Sequence, residues 1–226
     1  MIHSFHLVQM PPLRAVGALL RPPGPATVPG LRHMEVLAGM RLGSPVFSLQ
    51  RMQVHRLAVF AEWSQERDLD AFLAHDRFGR RLAAGWHVRL QFLRRWGTVR
   101  EFAHLPEMAG PADPDAPVVA VTLARMRLPQ LPRFIRWGRP VECQIRDHPE
   151  STLALAAVRP PRTVCTFSVW TSTRAMTGMA FGRDHGADAG RHVEAMAERE
   201  RRDFHHEFTT LRFRALSEHG SWDGRT

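Results

Sequence analysis

Val164-Cys165-Thr166-Phe167-Ser168-Val169-Trp170 is a short run dense in apolar and aromatic residues, closed by the hydroxyl residue Thr171. Such a run reads as a strand, and a hydroxyl placed just after it reads as a helix N-cap. The chain says the same thing earlier: Leu57-Ala58-Val59-Phe60-Ala61-Glu62-Trp63 ends on the same F-x-x-W and is followed by Ser64, with the two tryptophans 107 residues apart. Strand-to-helix turns of one signature, half a chain apart, point to an internal duplication.

Reading outward from Trp63 gives one order of elements. Ser4 to Met10 is a strand closed by Pro11-Pro12, and Leu13 to Leu20 a short helix stopped by Pro22-Pro23-Gly24. Leu31 to Leu42 is extended. Ser64 to His75 is a helix capped by Ser64, with Leu69, Phe72 and Leu73 on one face. Trp86 to Trp96 is a strand that turns Trp86, Val88, Leu90 and Phe92 to one side. Residues 106–117 hold four prolines and read as an irregular linker. The order then repeats, with strands at 118–126, 152–158, 164–170 and 207–213 and helices at 129–137, 171–181 and 191–203. The expectation is an α+β chain of two ferredoxin-like βαββαβ halves, residues 1–105 and 118–226. Joined halves can bury their apolar sheet faces as a barrel-like sandwich and leave a pocket beside a sheet.

Composition narrows the function. A hydrophobic fraction of 44% rules out a disordered chain, and no apolar run reaches the roughly 20 residues of a spanning helix. The N-terminus lacks the pattern of a signal peptide, and two cysteines make neither a disulfide framework nor a four-thiolate site, so a reducing cytoplasm is expected. The net charge of +9 rests entirely on arginine, since Lys, Asn and Tyr are all absent, as a GC-rich coding sequence would produce. The arginines alternate with acids, as in SQERDLD and AERERRD, so an Arg-rich nucleic-acid module is kept only as the reading from another class. No P-loop, dinucleotide fingerprint, H-E-x-x-H or Cys/His cluster occurs. Residues 182–190, GRDHGADAG, read as a polar hinge or lid.

VCTFSVW (164–170), RHVEAMAERERRDFHHEF (191–208), LRFRAL (211–216) and SEHGSW (217–222) resemble the C-terminal part of the spheroidene monooxygenase family. Leu57 to Trp63, and Pro129 to Trp137 with Arg133-Phe134, extend the likeness backward. The resemblance implies a tandem, dimeric α+β-barrel-type fold, b-type haem, and oxygenation of a hydrophobic small molecule, with the electron donor unspecified and a homo-oligomer compatible. The alternative within this fold is a non-catalytic protein that binds haem or an apolar ligand.

The resemblance also selects residues. His192, twelve residues before Phe204, falls where the family has a histidine and is the implied iron ligand; it shares a helix face with Ala195 and Met196. His206 is the alternative ligand. It is adjacent to His205, so at most one of the two faces a pocket, and His87 is a further competitor. Arg133 would pair with a haem propionate, and Ser168 would donate to dioxygen if its hydroxyl points into the pocket. Phe167, Trp170 and Met196 would wall the cofactor. Just before TFSVW the family carries a histidine, whereas this chain has Arg162-Thr163-Val164-Cys165.

Overall fold

The structure, a computed structural model, describes residues 1–45, 48, 51–111, 113–184 and 189–223. It is mixed α+β and divides into two compact units, each discontinuous in sequence. The first comprises Met1–Gly39, Gln53–Phe92 and Arg214–Thr226, and the second Met40–Met52 and Leu93–Phe213.

The first unit is built from β1 (Ile2–Gln9), α1 (Pro12–Leu20), β2 (Leu31–Met40), β3 (Met52–Trp63), α2 (Glu66–His75), α3 (Arg77–Ala83) and the start of β4 (Trp86–Thr98). β1 is central: it pairs antiparallel with β3, Ile2 opposite Trp63 through Gln9 opposite Arg56, and with β4, His3 opposite Leu90 through Leu7 opposite Trp86. With β2 outside β3, the strand order is β2-β3-β1-β4, that of a βαββαβ unit. Alternation sends Ile2, Val8, Leu57, Val59, Ala61 and Trp63 to one face, where they pack with Ala15 of α1, Leu69, Phe72 and Leu73 of α2, and Leu82 of α3. Large side chains fill this face, each contributing roughly 1.5–3 kcal/mol on burial.

Local signals place α2 with a one-residue correction. Its cap is Gln65 rather than Ser64, because the carboxylate able to reach back is Asp68, whose Oδ2 accepts from the Gln65 N–H at 3.1 Å. The chain then breaks at Asp76, whose side chain accepts from the N–H groups of Phe78 and Gly79 at 2.7 and 2.9 Å and so starts α3.

The second unit contains β5 (Val118–Met126), α4 (Leu131–Asp147), β6 (Ser151–Arg159), β7 (Thr163–Trp170), α5 (Thr173–Ala180), α6 (Arg191–Arg201) and β8 (His205–His219) up to Phe213. β5 pairs antiparallel with β7 and β8, and β6 with β7, so the order is β6-β7-β5-β8. The pattern matches that of the first unit. α4 is nearly twice as long as residues 129–137 predict and runs through Pro140. Proline usually ends a helix, but here the apolar stripe Phe134, Trp137, Val141 and Ile145 continues past it at helical spacing. β8 starts at His205, two residues earlier than expected. Of residues 182–190, 185–188 lie outside the described residues. No helix among the described residues is long and apolar enough to cross a membrane.

Gly97, in β4, has φ +68°, and a Cβ there would stand 2.3 Å from the Phe208 carbonyl oxygen. Gly97→Ala should lower stability by roughly 1–3 kcal/mol from the left-handed backbone alone, read from the urea midpoint. A variant as stable as the parent would contradict this register.

Candidate functional site

The second sheet is lined differently from the first. On its helix-facing side β5 presents Ala120, Thr122 and Ala124, β7 presents Val164, Thr166 and Ser168, and β6 presents Ala154 and Ala156, by the strand register. The equivalent strand positions of the first unit hold Ser4, His6 and Val8 on β1 and Leu57, Val59 and Ala61 on β3, so the second unit is the smaller at Ala120, Thr122, Ala124 and Val164. Short side chains stop before they reach the helices. A cavity of about 170 Å³ remains between this face, α4 (Phe134, Trp137, Val141, Ile145) and α6 (His192, Ala195, Met196). Its polar groups on the central strands are hydroxyls, with Thr122 of β5 and Thr210 of β8 hydrogen-bonded to each other at 3.1 Å.

His192 enters from the first turn of α6. The helix starts at Gly190, which has no side chain to cap it, and Gln144 of α4 supplies the missing partner. Its Oε1 accepts from the His192 backbone N–H at 3.1 Å, while its Nε2 donates to the Ala189 carbonyl at 3.3 Å. The His192 ring is then fixed by a 2.8 Å bond between Nδ1 and the Ala180 carbonyl oxygen. A carbonyl only accepts, so Nδ1 carries the proton and Nε2 the lone pair. Burial lowers the His192 pKa despite the opposing carbonyl bond, which keeps the ring neutral at pH 7.

A second histidine reaches the same cavity. His205 is 4% exposed, and its Nδ1 and its backbone N–H both meet Oδ1 of Asp203, at 3.0 and 2.9 Å. Phe134, Phe204 and Phe208 surround the ring at centroid distances of 5.8, 5.8 and 5.1 Å. Burial, then the nearby Arg199 charge, lower its pKa to about 4, against the opposing pull of Asp203. Of the adjacent pair it is thus His205 that lines the cavity, while His206 is exposed. Strand alternation predicts that only one faces inward; the early start of β8 decides which.

The other expected residues are placed as follows. Ser168 lines the cavity, and its Oγ accepts from Trp170 Nε1 at 2.8 Å, which leaves its own O–H proton to donate. Met196 lines it too. Phe167 borders it, but alternation with Thr166 and Ser168 turns its ring to the opposite sheet face. Trp170 packs away from it, with Val118, Met176 and Met179 under α5. Arg133 is not among the lining residues. It bonds Gln130 Oε1 at 2.6 Å, forms an ion pair with Glu198 of α6, and stacks over Phe204 at 4.9 Å. His87 lies in the first unit, its ring between those of His6 and His219 at 5.2 and 4.8 Å. From Arg162–Cys165, where the resembling family has a histidine, Val164 reaches the cavity. Reading for ligand-bearing residues passed over Gln144 and the row of small residues. The small residues were visible as Ala, Thr and Ala on alternate positions of VVAVTLARM.

No protein family and no curated protein matches this sequence. Solved structures do. An aldoxime dehydratase crystallised with butyraldoxime matches with TM-score 0.57 and 7% identity, over 96% of this chain and 79% of its own. A monooxygenase candidate from Fusobacterium nucleatum matches at TM-score 0.42 and 8% identity over 100% of this chain and 97% of its own. One from Lactobacillus acidophilus gives 0.39 and 7% over 97% and 95%. The first likeness shows a shared fold; the other two are too distant to bear on function.

The two cavity-independent and cavity-bound histidines of lowest basicity set a pH dependence. His205 titrates at about 4 and His6, buried in the first unit, at about 3, against 6.5 for a free imidazole. Below pH 6.5 the unfolded chain therefore binds protons that the folded chain does not. Stability should be full above pH 6.5 and fall steadily as pH drops toward 4. His205→Gln should flatten part of that slope in urea titrations taken at several pH values; an unchanged slope would show His205 to be solvated.

Proposed function

We propose that this chain is a haem-dependent oxidoreductase of the monooxygenase type, acting on a small hydrophobic molecule in the cavity of the second unit. The observation that carries the reading is His192: a neutral imidazole at an apolar cavity, its Nδ1 engaged by a main-chain carbonyl, as metal-bound histidines are. The matching strand orders of the two units, with the repeated F-x-x-W signature, support reading the fold as tandem ferredoxin-like repeats of the dimeric α+β-barrel type.

The residues fit the cofactor by the chemistry of their donor set, and the cavity of about 170 Å³ would have to widen to admit the macrocycle. His192 Nε2 would take the iron, and Phe134, Trp137, Val141 and Met196 would face the macrocycle with apolar surface. When bound, haem supplies the redox chemistry that activates dioxygen. The chain supplies the rest. The Ala180 carbonyl holds His192 in one tautomer, and Gln144 ties the start of α6 to α4. Trp170 turns the Ser168 hydroxyl so that its proton is free to donate inward. His205, oriented by Asp203, offers a neutral ring nitrogen that can accept a proton. Arg133 acts as a clasp between α4 and α6 through Glu198, which leaves it a positioning residue in this arrangement.

A second reading rests on volume. About 170 Å³ is close to the roughly 150 Å³ of an apolar cavity that takes benzene, so the space as it stands suits one aromatic ring. In that reading the chain binds a single-ring apolar molecule with no haem.

One titration separates them. Added to the full chain, haem should give a Soret band that saturates at one equivalent, and His192→Ala should weaken binding at least tenfold, with partial rescue by free imidazole. A band identical in His192→Ala, or none in the parent, would overturn the haem reading. Indole binding by calorimetry without haem would then favour the second. Filling the cavity from the sheet by Ala156→Leu should reduce either ligand's affinity at least tenfold while the chain stays folded by circular dichroism.

A further inference from the structure

The second unit holds a separate cluster of charge. Arg94 and Trp96 of β4 lie on one side of that strand, and Arg212 of β8 joins them. The Arg94 and Arg212 guanidinium carbons stand 4.3 and 4.1 Å from the Trp96 ring centroid. Arg94, Arg212, Arg174 and Arg183 together line a cavity of about 350 Å³, whose other walls are Leu93, Met108, Pro114, Val118 and short polar or glycine positions. No carboxylate is among its lining residues within the described part of the chain. Arg174 is paired with Asp115 at 2.9 Å. Among the described residues Arg94, Arg183 and Arg212 form no ion pair, and Arg212 Nε is buried without a hydrogen-bond partner.

Such an arrangement is unfavourable by itself. Two cations on one ring repel, and a guanidinium withdrawn from water needs an acceptor. Stacking on indole offsets part of this, since cation–π contacts are worth on the order of 1 kcal/mol at a partly exposed site. Burial, with the neighbouring Arg94 charge, lowers the Arg212 pKa to about 10, so the group remains charged at pH 7. The missing acceptor is then an anion. Guanidinium forks match an oxyanion of tetrahedral shape by paired N–H···O bonds.

We propose that this cavity, between β4, β8 and the start of α5, is a binding site for a phosphate group, free or carried as a small phosphate ester. It does not depend on the assignment of the His192 cavity, with which it shares no lining residue. A nucleic-acid strand is disfavoured here. The pocket is walled by Met108 and Pro114, and the Trp96 ring on which a base would stack already carries guanidinium groups.

The test is calorimetry and thermal unfolding of the full chain in a low-chloride, phosphate-free buffer. The probes are inorganic phosphate, phenyl phosphate, acetate and a 20-nucleotide single strand. Inorganic phosphate or phenyl phosphate should bind at one site, and whichever is tighter identifies the free or the esterified form. Arg212→Gln and Arg94→Gln should each weaken that binding at least tenfold. Without phosphate, Arg212→Gln should melt at or above the parent, because a repulsion is gone; with phosphate only the parent should gain stability. An equal loss of melting temperature in both buffers would mean that Arg212 merely packs on Trp96, and would overturn the site. So would absence of saturable phosphate binding, unchanged affinity in both variants, or acetate binding as tightly as phosphate. An oligonucleotide that binds more tightly than the ester and is lost in the same variants would reassign the surface to nucleic acid.

Discussion

The size of alternate side chains on one sheet face is the constraint from which the second unit's character follows. Antiparallel pairing sends every other residue to the same side, and protein interiors are packed to crystal-like density. When Ala120, Thr122, Ala124 and Val164 occupy places that in the first unit hold Ser4, His6, Val8 and Leu57, side-chain atoms are missing where the helices expect them. Each buried methylene forgone is worth roughly 0.8 kcal/mol, and the void adds to that. The opposite face carries the unit: Val119, Val121, Leu123, Phe167, Leu211 and Phe213 are all buried there. One side holds the sheet together while the other leaves the cavity.

The polar groups at that opening are held from behind. His192 is set by Ala180, His205 by Asp203, and Ser168 by Trp170. The first unit shows the alternative for the same tryptophan. There Trp63 Nε1 donates to Ser4 Oγ at 3.0 Å, across to β1. At the corresponding place β5 has Ala120, which offers no acceptor, so Trp170 bonds a hydroxyl on its own strand. Two reciprocal exchanges, Ser4 for Ala120 on one strand and Ala61 for Ser168 on the other, thus move the indole's hydrogen bond from a role in packing to one beside the cavity.

The strands were legible in the sequence because LAVFAEW and VCTFSVW are dense in β-branched and aromatic residues, and the order of elements was legible in the spacing of such runs. The length of α4 was not, because Pro140 masks a stripe that tertiary packing sustains. His192 stood out through the resemblance, whereas His205 required the starting residue of β8, which no local signal marks. The resemblance singles out Arg133 through its Arg-Phe pair, whereas the structure pairs its charge with Glu198, a partner 65 residues away in sequence. Long-range pairings of this kind have no period and leave no trace in a linear reading.

The two cavity imidazoles are both uncharged near neutrality, and around them stand alanines, threonines and aromatic rings. Such an enclosure acts as a filter on ionisation state. An anionic guest would leave water and find no cationic partner among the described lining residues, whose one charged group is the Glu142 carboxylate paired with Arg51, a transfer that costs several kcal/mol even after relaxation. A neutral guest of the same outline loses little. On the proposed reading the enclosure would therefore sort molecules by their own acid–base equilibria, and a weak acid would enter in its protonated form, drawn from solution in proportion to how much of that form the surrounding pH allows.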